Sequence, residues 1–273
     1  MLVRPIVALV VGLSGLLAGP ALAATAGTPA PPDRWQPRVG DTWQWQLDGE
    51  IDESIDVDVY DVDLFDVSAA TVAQLQADGR RVICYVSVGT VEEWRPDAAT
   101  FPAEAVGDAY DEWPGERWLD IREIDLLSPI LSARLDLCKE KGFDGVEPDN
   151  VDGFTNETGF DLTARDQARF LRWLAAEAHA RGLSIGLKNA PELVDALVDE
   201  LDWALTEDCV VDDWCEEMLP FVEADKPVFM AEYTDQVSER RFAWAVCPFA
   251  ADLGFSAILK HRDLDADRVG CPE

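Results

Sequence analysis

The sequence predicts an α/β protein built as a single (β/α)8 TIM barrel with a vestigial last helix and disulfide staples. Short apolar runs alternate with segments of helical period and give eight strands in about 210 residues, the strand number of such a barrel. The predicted folded part has roughly 235 residues, which is enough for one large core. Polar side chains follow every predicted strand, at the end where barrels of this type build their sites.

The eight strands are predicted at 57–65, 81–88, 117–121, 143–147, 184–188, 203–206, 227–231 and 256–259. Helices are predicted near 68–78, 128–141, 163–181, 191–200, 215–223 and 238–253. Thr163 is a suitable N-cap for the third of these helices, and glycines at 79, 142 and 182 end three of them. Only a short segment follows the eighth strand, so the last helix of the barrel is expected to be vestigial.

The first 23 residues are predicted to be a signal peptide. Arg4 supplies a positive start, residues 5–19 are apolar or small, and Ala21-Leu22-Ala23 gives a cleavage pattern. An uncleaved anchor is the alternative, although the run is short and rich in glycine. Residues 24–40 are predicted to be a disordered leader, and 41–273 the barrel domain. We therefore expect a secreted monomer with no membrane contact after cleavage.

The composition limits the partners of the protein. With 22 basic and 54 acidic residues, the formal net charge is −32. Nucleic acids and anionic membranes both require a positive face, so neither is expected as a partner. A polysaccharide that is itself cationic is compatible with this charge. Adaptation of the surface to salt or solubility explains the same charge, and the sequence leaves both explanations open.

The six cysteines predict disulfides rather than a metal or redox site. None forms a C-x-x-C pair, and the two histidines of the chain cannot complete a zinc site. Six cysteines allow fifteen pairings. Proximity in the predicted fold favours Cys209–Cys215, Cys247–Cys271 and Cys84–Cys138. No metal and no cofactor is expected.

The clearest chemical signal is the stretch from Gly142 to Asp152, where an apolar strand ends in Glu147, Asp149 and Asn150. With only two histidines in the chain, carboxylates are the natural acid–base groups. Polar residues at the ends of the other strands extend the candidate site. The predicted substrate-binding residues are Asp61, Asp63, Tyr85, Glu147, Asn150, Lys188, Asn189, Glu232, Tyr233 and Lys260. Trp94 and Trp113, with the two tyrosines, are candidates for stacking on sugar rings.

Several of these segments together resemble glycoside hydrolase family 114. They are Asp61-Val62-Asp63, Ile83 to Ser87, Asp144 to Asp152, Gly186 to Asn189, Glu207-Asp208-Cys209 and Ala231-Glu232-Tyr233. The resemblance runs from Trp43 to Lys260. It implies cleavage of α-1,4-linked galactosamine or N-acetylgalactosamine polymers, with Asp149 and Glu207 as the catalytic pair. Asp208 departs from the family pattern, because an acid replaces a neutral residue there.

The chemistry of glycoside hydrolysis fits the same pair, since it uses one carboxylic acid and one carboxylate on either side of the bond. Asp149 is the predicted nucleophile or base, and Glu207 the predicted general acid. Analogy with α-galactoside-cleaving barrels favours retention of configuration. Glu232 is the alternative nucleophile, because many barrels place one after the seventh strand. Another α-galactoside or amino-sugar specificity, or a non-catalytic polysaccharide-binding barrel, are the alternative functions.

Overall fold

The computed structural model describes residues 1–2, 34–111 and 113–272. Eight parallel strands follow one another around the barrel, and each is hydrogen-bonded to the next in this order. They are β1 (Trp43–Gln46), β2 (Val59–Asp63), β3 (Arg81–Ser87), β4 (Gly145–Asp149), β5 (Ser184–Lys188), β6 (Trp203–Glu207), β7 (Val228–Tyr233) and β8 (Ser256–Lys260). The predicted TIM barrel is confirmed, and its carboxyl ends form one face of the domain.

The membership of the barrel differs from the prediction at two places. The segment predicted as the third strand contributes Glu116–Leu119, which pairs antiparallel with Thr90–Glu92 and Val106–Ala109 in a small separate sheet. The eighth barrel strand is instead β1, which the sequence did not predict as a strand. Its Trp-Gln-Trp-Gln sequence lacks an apolar run, but Gln44 and Gln46 are buried and donate to the carbonyls of Ala266, Asp48 and Glu50.

The barrel closes between β1 and β8 through side chains and a short added strand. The indole nitrogen of Trp43 donates to the carbonyl oxygen of Ser256 at 2.8 Å. Val269–Gly270 pairs antiparallel with β8, and Arg268 Nε donates to the carbonyl oxygen of Trp43 at 2.7 Å. These contacts join the two edge strands, whose backbones are not paired with each other.

Helices surround the barrel at α1 (Ala69–Ala77), α2 (Ile124–Lys141), α3 (Ala164–Ala180), α4 (Val194–Leu197), α5 (Leu219–Glu223), α6 (Glu239–Arg241) and α7 (Cys247–Leu253). The Thr163 and Asp166 side chains form a capping box at the start of α3. Gly142 ends α2 in the left-handed conformation. A π-helical turn, Phe242–Val246, joins α6 to α7, so the predicted helix at 238–253 is continuous but irregular.

Alternation along each strand divides the core into two parts. Inward-facing residues fill the barrel with large rings, including Trp43, Trp45, Trp203 and Phe229. The outward-facing set packs against the helices and forms the larger hydrophobic cluster. The carboxyl end of the barrel interior is different, because charged side chains replace apolar ones there.

The three predicted disulfides, Cys84–Cys138, Cys209–Cys215 and Cys247–Cys271, are present in the structure. The first two are buried in the outer core. Cys84 lies on β3 and Cys138 on α2, so their bond fixes a helix to the barrel wall.

The predicted signal peptide lies outside the described residues, except for its first two positions. The predicted leader, 24–40, is described only from residue 34 onwards. There Arg34 pairs with Asp202 at 2.9 Å and Trp35 packs against the barrel interior cluster. Within the part of the chain that the structure describes, no helix has both the length and the apolar character needed to span a membrane.

Candidate active site

A cleft of about 1030 Å³ opens at the carboxyl end of the barrel. Its floor comes from the strand ends, and its walls come from the loops that follow them. The lining residues include most of the predicted site, namely Asp63, Tyr85, Asp149, Asn150, Lys188, Asn189, Glu207 and Tyr233. The barrel therefore brings together residues that are up to 170 positions apart in the sequence, as the convergence of its strand ends requires.

Asp149 and Glu207 face each other across Lys188. The Lys188 ammonium contacts Asp149 Oδ1 at 2.8 Å and Glu207 Oε2 at 3.1 Å. Because both oxygens contact the same nitrogen, they lie no more than about 6 Å apart. Their side chains keep 19% and 26% of their surface exposed to the cleft, whereas Lys188 is buried at 4%. Both carboxylates can therefore contact a substrate, while the buried Lys188 ammonium stays paired with them.

Lys188 also contacts a third carboxylate, Glu147, at 3.0 Å, and lies 4.7 Å from the centre of the Trp45 ring. Burial would lower the pKa of Lys188, but Asp149, Glu147 and Glu207 together raise it well above its usual value. The lysine is thus a permanent cation. Burial favours the neutral form of Asp149, yet Lys188 and the Tyr85 hydroxyl lower its pKa below the usual value. Asp149 is ionised at neutral pH.

Beneath this group lies a pair of buried carboxyls, Asp61 and Glu147. Neither side chain is exposed. Within the described residues, no N–H or hydroxyl donor reaches either oxygen of Asp61 or Oε2 of Glu147. Burial and the proximity of Glu147 raise the pKa of Asp61 well above its usual value, and the pKa of Glu147 rises to about 7. These shifts are those expected of a buried pair that retains a proton, with a neutral Asp61 beside Glu147.

Neutral donors orient the two facing carboxylates. The Tyr85 hydroxyl donates to Asp149 Oδ2 at 2.9 Å. On the other side, Asn189 Nδ2 donates to Glu207 Oε2 at 3.0 Å, and the Tyr233 hydroxyl donates to Glu207 Oε1. Asn189 also accepts from the Glu207 backbone N–H at 2.8 Å, which fixes its amide. The first residues after β4 and β5 are asparagines with positive φ, a conformation that asparagine tolerates.

The antiparallel sheet and the loop after β3 complete one side of the cleft. Asp63 is paired with Arg95, at 3.0 Å from Oδ1 to Nη1, and Arg95 also binds Glu92. Asn150 donates to the Ser87 and Thr90 hydroxyls at 3.0 and 3.1 Å. A Cβ on Gly89 would lie 1.6 Å from the Asn150 carbonyl oxygen, so only glycine allows this approach. Asp63 and Asn150 are therefore engaged with the protein itself.

Four of the residues predicted to bind substrate do not line the cleft. Glu232 lies two residues after Met230, which packs in the outer cluster, so both side chains point away from the barrel interior. Glu232 is fully buried and accepts a hydrogen bond from the Val210 N–H at 2.9 Å. Lys260 lies in the β1–β8 seam, where it donates to the carbonyls of Asp265 and Asp267. Asp61 and Glu147 lie under the cleft rather than in its lining. Position at a strand end does not decide which way a side chain points, so these four predicted residues do not line the cleft.

Several cleft residues were missed. Trp45 belongs to the strand that the sequence did not reveal, and Arg95 and Glu116 belong to the small antiparallel sheet and its loops, which the sequence did not predict. Arg262 follows β8, stacks over Tyr233 at 4.0 Å and pairs with Asp208 at 2.7 Å. This ion pair accounts for the acid that departs from the family pattern. The signal for Arg262 was available, since it lies three residues beyond the end of the predicted eighth strand.

One group of described side chains has the composition of a metal site, His261, Asp265 and Asp267, whose ligand atoms lie within 4.8 Å of one another. His261 Nδ1 is already 2.9 Å from Asp265 Oδ2, and that hydrogen bond raises the pKa of the imidazole. The group is explained as an ion pair in the loop after β8. The two facing carboxylates, in contrast, form an arrangement suited to acid–base and nucleophilic chemistry.

Comparisons with known proteins agree with this geometry. The model of glycoside-hydrolase family GH114 matches residues 24–273. Ega3 of Aspergillus fumigatus, solved in complex with galactosamine, is 39% identical, covers 89% of this chain and all of its own, and superposes with a TM-score of 0.83. The glycoside hydrolase domain of PelA from Pseudomonas aeruginosa shares the fold at 18% identity, 85% and 98% coverage and a TM-score of 0.67. An uncharacterized protein of Deinococcus radiodurans is 26% identical over 77% of this chain and 76% of its own.

Proposed function

Because the chain belongs to glycoside hydrolase family GH114, it is a glycoside hydrolase, and we propose that it cleaves α-1,4-linked polymers of galactosamine and N-acetylgalactosamine. The observation that carries the proposal is the pair of partly exposed carboxylates, Asp149 and Glu207, held on one buried lysine inside a large cleft. The galactosamine bound to the 39% identical Ega3 supports the choice of sugar.

In the proposed mechanism, Asp149 attacks the anomeric carbon while Glu207 gives its proton to the departing glycosidic oxygen. Glu207 then takes a proton from water, whose oxygen displaces Asp149 from the sugar. The lowered pKa of Asp149 supports its role as the ionised partner. The limit of about 6 Å between the two oxygens on Lys188 is closer to the roughly 5–5.5 Å of retaining enzymes than to the roughly 6.5–9.5 Å of inverting ones.

The charge of the cleft supports a substrate with free amino groups. Eleven acidic side chains line it against three basic ones, Arg95, Lys188 and Arg262. All three basic groups are already paired with carboxylates. The surplus negative charge attracts ammonium groups such as those of a partly deacetylated galactosamine polymer.

Export of the protein is part of the same proposal. Three disulfides are typical of proteins that fold in an oxidising compartment. The signal-peptide pattern at residues 1–23 agrees with this, and a polysaccharide too large to enter a cell requires an enzyme outside it.

The test is product analysis by mass spectrometry after incubation with partly deacetylated α-1,4-galactosaminogalactan. We expect the wild type to release oligosaccharides, and Asp149→Asn and Glu207→Gln to release almost none. Asp195→Asn and Glu192→Gln, two exposed acids on and beside α4, are matched controls that should keep full activity. The anomeric configuration of the first product, followed by NMR, tests retention.

Two results would contradict the proposal. Release that survives both Asp149→Asn and Glu207→Gln would place the chemistry on other residues, and no release from the wild type would exclude this polymer as the substrate. The salt dependence of kcat/KM separates the two explanations of the acidic surface. A steep fall with ionic strength on the cationic polymer, but not on its fully acetylated form, identifies attraction of the substrate.

A further inference from the structure

The insertion between β3 and α2, which contains the small antiparallel sheet, adds exposed aromatic rings to the cleft. Among the described residues, three tryptophans are exposed, namely Trp94, Trp113 and Trp244. Trp94 and Trp113 both belong to this insertion, both line the cleft, and they are 53% and 50% exposed. Single exposed rings are common on protein surfaces, but two rings that open into one cleft indicate a binding surface.

The backbone on either side of Trp94 is rigidly held. The Glu93 N–H donates to the Gly115 carbonyl at 2.9 Å, and the Arg95 N–H donates to the Glu92 carbonyl at 3.1 Å. The Arg95 side chain is buried and bound to Glu92 and Asp63. Trp94 therefore has a fixed main chain although half of its side chain is in solvent.

The ring of Trp94 is supported from below by Gly115. This glycine has a φ of +97°, and a Cβ placed on it would lie 2.9 Å from Cζ3 of the tryptophan. A glycine at this turn thus allows the indole to lie directly against the main chain. Trp113 belongs to the same turn, because its carbonyl accepts from the Glu116 N–H at 3.0 Å. The turn therefore joins both rings to Glu116, which lines the cleft beside them.

A preorganised, half-exposed aromatic surface suits a pyranose ring, whose C–H face packs on an indole while its hydroxyls remain in water. An amino sugar gains more, since its ammonium group interacts with the indole face and with nearby carboxylates. The cleft volume of about 1030 Å³ leaves room for sugar units beyond the one that contacts Asp149 and Glu207.

We propose that Trp94 and Trp113 form an aromatic platform that binds a sugar unit of the polymer away from the bond being cleaved. The proposal rests on the function proposed above and refines it. The platform holds a chain that runs through the cleft, so it favours cleavage within long polymers over cleavage of short ones. Its effect is on the binding of long substrates, because the side chains bonded to the reacting carboxylates come from the barrel strands and the loop after β5 rather than from this insertion.

The experiment compares Trp94→Ala, Trp113→Ala and wild type on the polymer and on the shortest oligosaccharide that the wild type cleaves. Trp94→Phe is the conservative variant, and Trp244→Ala is the matched control, because Trp244 is 74% exposed but lies outside the cleft lining. We expect kcat/KM on the polymer to fall about tenfold in each alanine variant, mainly through KM. On the short substrate it should change less than twofold, and Trp94→Phe should recover part of the loss.

Two outcomes overturn the platform. One is a polymer kcat/KM in both alanine variants equal to that of Trp244→Ala, and the other is an equal loss on both substrates, which indicates a structural role. If the wild type cleaves no galactosamine polymer, the platform is tested by calorimetric titration of the same polymer into two proteins. One is Glu207→Gln, and the other carries both Glu207→Gln and Trp94→Ala. Weaker binding without the ring supports the platform while the catalytic proposal fails, and unchanged binding or no binding rejects it.

Discussion

Strands β4 and β6 each have an acid just before the amino end and another at the carboxyl end, and the two ends differ in how positive charge is supplied to those acids. At the amino ends, Asp144 accepts from Gln76, Arg81 and the Val82 N–H at 2.7 to 3.0 Å. Asp202, just before β6, accepts from Arg34, His179 and the Ile185 N–H, and His179 and Arg34 lower its pKa despite burial. Each of these acids is saturated with donors.

At the carboxyl ends of the same strands, the acids compete for one cation. Lys188 forms ion pairs with Glu147, Asp149 and Glu207. Asp61, which lies beneath them, accepts no hydrogen bond from a described N–H or hydroxyl group. The saturated acids stabilise the fold and have nothing left for a ligand. The acids that share one lysine are costly to bury together and are retained for chemistry, as is expected where local stability is given up for function.

The largest effect is expected from removal of the shared cation in Lys188→Met. Without it, burial raises the pKa of Asp149, so the acid limb of the pH–rate profile moves to higher pH and kcat/KM falls on the order of a hundredfold. Three carboxylates lose their only ammonium partner, which costs about 3–5 kcal/mol in the free energy of unfolding at pH 7. Steady-state kinetics and urea unfolding measure both, with exposed Lys139→Met as control. An unchanged acid limb would show that Lys188 does not hold Asp149 ionised.

At the opposite end, Asp202→Ala should affect stability alone. It leaves Arg34, His179 and the Ile185 N–H without their acceptor, and we expect a loss of about 2–4 kcal/mol in the free energy of unfolding at pH 7. Because the folded pKa of Asp202 lies below its usual value of 3.8, this stabilisation is present above that value and disappears as the pH falls through the folded pKa. Urea unfolding at several pH values, beside exposed Asp199→Ala, measures it. If Asp202→Ala lost as much kcat as Lys188→Met at a temperature where the variant is folded, the amino-end acid would not be purely structural, and the contrast between the two strand ends would fail.

A smaller and pH-dependent effect is expected from Asp61→Asn. The amide keeps a donor toward Glu147 but cannot ionise. Because the folded pKa of Asp61 is raised, its contribution to stability is present below its usual value of 3.8 and is lost as the pH rises through the folded pKa. The variant should match the wild type at pH 4 and be more stable at pH 8, with kcat reduced about tenfold or less. Thermal unfolding across this range tests it, and a variant that is less stable at pH 8 would argue against a shared proton.

The contrast also explains what the sequence could and could not predict. Asp149 and Glu207 were predictable because an apolar strand that ends in an acid is a local pattern, and both lie at strand ends. The saturation of Asp202 was not, because its donors come from Arg34, His179 and Ile185, which meet only in the folded barrel. β1 escaped prediction for a similar reason, since its buried glutamines find their carbonyl partners far along the chain or in a neighbouring loop.

Strand parity was available in the sequence and distinguishes two of the residues predicted at the end of β7. Side chains alternate across a strand, so Glu232 and Tyr233 must point to opposite faces. Tyr233 donates to Glu207 in the cleft, which places Glu232 in the outer layer. At the end of β7, only Tyr233 of these two residues lines the cleft.

Glu232→Gln is therefore expected to have little effect on catalysis, although Glu232 lies next to Tyr233 at the end of the same strand. The glutamine oxygen can still accept from the Val210 N–H, so kcat/KM on the polymer should stay within twofold of wild type. Burial raises the pKa of Glu232 to about 7 from a usual 4.5, so its contribution to stability is complete below 4.5 and is lost as the pH rises through 7. The variant should equal the wild type at pH 4 and gain about 1–2 kcal/mol at pH 8. A large loss of kcat would restore Glu232 as the nucleophile and reverse the assignment of the outward face, because an acid sealed behind the barrel wall has no path to the sugar.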